Sequence, residues 1–177
     1  MLFRSHTAAP LKDPGSLTLA TCLAKWGEKA AIDFDDAGDT AAKAGGTCTY
    51  NGPADALVGS IGTFAKTTTD AITDGVDTSV RADNKFRSIL IKECGRYTDA
   101  LLAAESKNIL HPDEDALAGA SAKALDRFLR KTTKTLKKAA KAGIDYEGPG
   151  PAELAELVEG FVAETVATLN QDAWGGR

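Results

Sequence analysis

The residues of this chain best suited to chemistry are the acids of segment 33–39, Asp33-Phe34-Asp35-Asp36-Ala37-Gly38-Asp39. Numbered as a calcium loop from Asp33, the segment puts carboxylates at the first, third and seventh positions and glycine at the sixth, where such a loop turns sharply. Ala37 at the fifth position and Ala44 at the twelfth remove two ligands, including the bidentate carboxylate that closes the coordination sphere. Asp33, Asp35 and Asp39 are therefore a weak cation candidate in what otherwise reads as a solvated acidic turn. His6 and His111 are the only histidines; neither sits in a Glu-x-x-His pair, and both read as solvated. The sequence holds no P-loop, no Gly-x-Gly-x-x-Gly, no Gly-x-Ser-x-Gly and no His-Glu-x-x-His. Cys22, Cys48 and Cys94 are too few for a disulfide framework, though Cys22 and Cys48 could pair. No catalytic residue and no cofactor follow from this inventory.

Two short motifs resemble sites of known families. Asp33-x-Asp35 resembles the paired aspartates of haloacid-dehalogenase-like phosphatases, which implies catalytic aspartates in a small hydrolase. The fifth position of that motif is Ala37 rather than threonine or valine, and the alternating strand–helix pattern of that fold does not follow. Cys94-Gly95-Arg96 resembles the cysteine-x-arginine pair that holds a linear tetrapyrrole in phycobiliproteins, which are also small helical chains. Tyr97 stands where those proteins place an aspartate, and their aromatic run is missing. Cys94 reads instead as a small core residue.

The other concentration of chemistry is charge. Lys123, Arg127, Arg130, Lys131, Lys134, Lys137, Lys138 and Lys141 load one segment with eight positive charges, opposed there mainly by Asp126. Alone, such a run points to nucleic acid or an anionic membrane surface. The next segment carries Glu153, Glu156, Glu159 and Glu164, and a short connection makes consecutive helices antiparallel neighbours. A solvated face, partly neutralised by those glutamates, is expected. No aromatic residue interleaves the lysines, so base stacking has no platform. Arg130, Lys131, Lys134, Lys137, Lys138 and Lys141 are the partner-binding candidates of this face.

Helices must position these groups. Ser16, after Pro14-Gly15, suits an N-cap, and Leu19, Leu23, Trp26 and Ala30 share one helical face, predicting a helix over 16–32. A short extended piece over 47–50 closes at Asn51-Gly52. Pro53 suits the first position of a second helix that ends near Gly75, with Leu57, Ile61, Phe64, Ala65, Thr68 and Ile72 inward. Gly59 and Gly62 weaken it unless another helix comes close. A third helix is predicted over 77–106, with Phe86, Leu90, Cys94, Tyr97, Leu101 and Ala104 on one face. Ile89, Ile91 and Leu102 widen that surface. Ile89 and Ile91 lie about 200° apart on the wheel, so either the helix is surrounded within the monomer or another chain covers one edge. Pro112 opens a fourth helix with acids in its first turn, and Gly143 stops it. A fifth is predicted over 152–170.

The chain has 177 residues, 43% hydrophobic and 26% charged, which fits one globular domain. The organisation expected is an irregular arm over 1–15 and a helical domain over 16–177, without internal repeats. The fold class expected is all-α, a single-domain bundle of about five amphipathic helices. Twenty-one basic against 25 acidic residues give a net charge of −4, which disfavours bulk attraction to nucleic acid. No apolar run reaches the roughly 18 residues of a spanning helix, and no apolar core follows Arg4 as in a secretory signal. Cysteine usage points to a reducing compartment, and so to a cytoplasmic or intracellular assembly, with secretion after removal of an unseen signal as the alternative. The function expected is that of a non-enzymatic structural or protein-interaction subunit of a larger assembly. Its partners would be other protein chains, contacted through the arm and the apolar edge Ile89, Ile91 and Leu102. The alternative is a peripheral binder of nucleic acid or an anionic membrane surface through 123–141. A remoter one is a small hydrolase or cation-binding protein using 33–39.

Overall fold

The computed structural model describes Lys43, residues 54–74 and residues 80–174. The arm, the helix expected over 16–32, the extended piece over 47–50, His6, Cys22, Cys48 and the acidic turn lie outside the described residues. Four helices run through the described segments, with no strand among them: α1 (Ala54–Thr73), α2 (Arg81–Leu110), α3 (Glu114–Lys141) and α4 (Pro151–Trp174). The chain is all-helical there, and each of the last four predicted helices has its counterpart.

The boundaries show how local chemistry sets each end. Pro112 does not open α3, as the sequence suggested. Asp113 is the N-cap in extended backbone, and its carboxylate accepts from the Ala116 N–H at 2.9 Å. A carboxylate satisfies an orphan amide there, so the cap falls on Asp113 and Pro112 is left outside. α2 runs one turn past the expected end, because residues 107–110 continue the hydrogen-bond ladder up to the residue before Pro112. The His111 N–H still donates to the Lys107 carbonyl at 2.9 Å. Gly143 closes α3 with φ of 71°, a conformation that disfavours any residue with a Cβ. Pro151 occupies the first position of α4, and Glu153 reaches back to accept from the Gly150 N–H at 2.7 Å.

The apolar stripes of the four helices are largely buried. Ile72 of α1, Leu90 and Cys94 of α2, Thr132 of α3, and Leu154 and Val158 of α4 have almost no exposed surface. Aromatic pairs join the layers: Phe64 stacks on Phe161 between α1 and α4 at 4.1 Å, and Tyr97 stacks on Phe128 between α2 and α3 at 4.8 Å. Such pairs contribute about 0.5–1.5 kcal/mol each beyond their area. Two core threonines are satisfied within their own helices, the Thr132 hydroxyl donating to the Phe128 carbonyl and the Thr165 hydroxyl to the Phe161 carbonyl.

One buried charge links three parts of the chain. Arg87 of α2 lies inside the stripe, 4% exposed. Its Nε donates to Asp83 Oδ1 at 2.9 Å, and its Nη1 donates to the Ile72 carbonyl at the end of α1. The guanidinium also covers the ring of Tyr146, in the α3–α4 connection, at 5.2 Å. That ring packs edge-on against Phe86 and leaves no room for a Cβ at Gly148, which would sit 2.7 Å from it.

Two stability predictions follow from these contacts. Arg87→Ala should cost about 2–3 kcal/mol in urea unfolding, since it leaves the half-buried Asp83 carboxylate without its partner and the Ile72 carbonyl without its donor. Arg87→Met together with Asp83→Leu should cost less than that single change. Gly62 and Gly119 lie within helices with nothing within 4 Å of a would-be Cβ, so changing each to alanine should stabilise by about 1 kcal/mol. Gly143→Ala should instead destabilise by about 1–2 kcal/mol.

Candidate interaction face

The eight cations of 123–141 all belong to α3. At 3.6 residues per turn they fall on one continuous arc of about 120°, and from Lys123 to Lys141 the arc runs about 27 Å along the axis. Every one of them is exposed. The opposite flank of the helix, carrying Leu125, Leu129 and Leu136, packs on the core. Asp126 sits at the outer border of the arc, beside a shallow groove that also holds Arg130, Lys134, Lys137, Lys138 and Lys141.

The expected neutralisation by α4 is not made. None of the eight forms an ion pair with a described residue; pairs such as Lys66–Asp70, Arg87–Asp83 and Arg96–Glu93 involve other side chains. Two of the four α4 glutamates are used otherwise, Glu153 at the Gly150 cap and Glu159 as acceptor for the Tyr97 hydroxyl. That contact, after burial as the larger cause, raises the Tyr97 phenol well above its usual value. The edge of the arc toward α2 does meet acids. Arg127 and Lys131 share a groove with Glu93, Arg96 and Asp99. The remaining cations are exposed, with Asp126 the acid beside them.

The apolar candidates separate. Ile91 is 2% exposed and belongs to the core, so it is not available to a partner. The helix is covered on that side within the chain, and on the Ile89 side it is not. Leu102 is half-buried against the same core, and only Ile89, 37% exposed, opens to solvent. Asp33, Asp35 and Asp39 lie outside the described residues. His111 is exposed, and no group of three or more metal-ligating side chains occurs among the described residues. No described helix is long and apolar enough to cross a membrane.

Cys94 is enclosed completely, and burial pushes its thiol up from 9.0 to about 12. Tyr146 is likewise raised by burial to about 12, against the lowering pull of Arg87. Comparison with protein-family models, curated proteins and solved structures finds no match to this chain.

The buried thiol carries its own test. Its folded pKa lies above its unfolded value, so the unfolded chain binds fewer protons above pH 9 and stability falls as pH rises from there toward 12. From this residue alone the fall should reach about 1.4 kcal/mol by pH 10. Cys94→Ala should flatten the decline between pH 8 and 10 in urea titrations. In the native protein at pH 8, alkylation of Cys94 read by peptide mass should proceed no faster than unfolding.

Proposed function

We propose that this chain is a non-catalytic docking protein that engages an acidic protein surface through the basic face of α3. The observation that carries the reading is the arc itself: eight cations of one sign on one face, none paired within the described fold. Within a helix, like charges three or four residues apart, such as Arg130–Lys134 and Lys134–Lys138, oppose helix formation by about 0.2–0.5 kcal/mol per pair. No ion pair among the described residues offsets that repulsion. A partner of opposite sign does.

The chemistry of the face narrows the partner. The arc has no aromatic side chain on which a base would stack. It has no large apolar side chain to enter a lipid surface, since the exposed ones are Val80, Ile89 and Ile109 of other elements. The net charge of −4 opposes long-range attraction to a phosphate backbone. Carboxylates on a folded partner demand only complementary charge at close range.

Labelled poly-glutamate is a direct probe. Binding should weaken as salt rises, and Lys134→Glu with Lys137→Glu and Lys138→Glu should weaken it by about 30-fold. The same triple variant should melt no lower than the parent, because positions 134, 137 and 138 then attract Arg130, Lys131 and Lys141 instead of repelling them. Unchanged affinity in that variant would overturn the reading. Sub-micromolar binding of random-sequence duplex DNA with a steep salt dependence would replace it with a nucleic-acid role.

A further inference from the structure

Resting on the docking reading, we propose that the acidic surface bound by the basic face of α3 belongs to a second copy of this chain, at the groove between α1 and α4. Charge distribution supports this choice of partner. Eight of the 21 basic residues lie on the arc, leaving 13 against 25 acidic ones for the rest of the chain. The molecule is therefore strongly polar, and its own remainder complements its own face.

The groove has the shape and chemistry to receive a helix. Stacked Phe64 and Phe161 lie at its floor, and Gly59 and Gly160 stand on its two walls. Nothing lies within 4 Å of a would-be Cβ at either glycine. Side chains that small let a second helix approach to the roughly 8–10 Å separation of packed helices. Glu156 and Glu164 line the α4 wall, and both are exposed and without an ion-pair partner among the described residues. They are eight residues apart, a rise of about 12 Å. Arg130 and Lys138 on α3 have the same spacing.

The giving and receiving surfaces lie on different helices, so a copy that gives to one neighbour and receives from another makes a heterologous contact. It repeats head to tail, closing into a ring or running on as a filament. It also accounts for a solvent-facing stripe of like charge on a chain of negative net charge.

Sedimentation velocity of the whole chain tests the proposal through a charge exchange. The parent should associate with rising concentration at about 20 mM salt and dissociate at about 0.5 M, where the screening length falls to a few ångströms. One variant carries Arg130→Glu, Lys134→Glu and Lys138→Glu; the other carries Glu156→Lys and Glu164→Lys. Each should remain monomeric alone, losing at least about tenfold in self-affinity, and the two mixed should associate again. Gly59→Val with Gly160→Val, which fills the groove without changing charge, should give the same loss while the helical circular dichroism is kept. A parent that stays monomeric at low salt, association that survives either reversal, or a mixture that stays monomeric would each overturn the proposal. A monomeric parent that still binds poly-glutamate through α3 would overturn this inference alone. Loss of both would remove the docking reading with it.

Discussion

The buried guanidinium of Arg87 is the interaction on which the arrangement of the described helices turns. Placing a cation out of water is costly unless its donors are used, and here the partners come from three places in the chain. Asp83, one turn earlier, supplies the opposite charge, and the Ile72 carbonyl supplies an acceptor at the end of α1. Tyr146 supplies the face of its ring from the α3–α4 connection. A carbonyl at the C-terminal end of α1 is one that the helix itself leaves unsatisfied, and the helix dipole makes it a good site for a cation. Once these contacts are fixed, α1 can end in only one position against α2. The connection must also pass over the guanidinium before α4 begins.

That fixed path decides which side of α3 faces outward. Tyr146 is held by Arg87 and Phe86, and its hydroxyl donates to the Pro149 carbonyl at 3.1 Å, just before α4 starts. α3 enters this connection with Phe128 already stacked on Tyr97 of α2. The stacked side and the leucine flank are committed to the core, and the third side of the helix is left to solvent. The eight cations occupy that side. The exposure of the basic arc is thus a packing consequence, set by contacts that involve none of its residues.

Much of this was legible in the sequence, because burial follows helical spacing. Leu57, Phe64 and Ile72, then Leu90, Cys94 and Leu101, then Leu154, Val158 and Phe161 are spaced as inward residues and are buried. Cys94 is the core residue that its place on the stripe indicated. Arg87 was not legible. A charged pair four residues apart on a helix ordinarily reads as solvated, and only its position within the apolar stripe, between Phe86 and Leu90, marks it as inward. The pairing expected between the lysines and the α4 glutamates failed for a related reason. Adjacency of two helices in sequence says that they touch, but the angle of each residue about its axis decides which side chains meet. The lysine arc begins where α3 borders α2 and turns outward from there. Two of the glutamates are drawn instead to a helix cap and to a tyrosine.

A face of this kind also changes what the net charge means. Summed over the chain, 21 basic and 25 acidic residues nearly cancel, and the total alone describes a protein with weak long-range attraction to any polyion. Yet the charges are segregated, and at physiological ionic strength a partner within about 8 Å experiences the local face rather than the sum. On α3 that face is uniformly positive over about 27 Å. A net-negative protein with such a stripe repels its partners weakly at distance and attracts acidic surfaces strongly at contact. Orientation then matters more than total charge. On the docking proposal, segregated charge on a rigid helix is what would select a partner. The rigidity of that helix comes from the same core contacts that leave its charged face exposed.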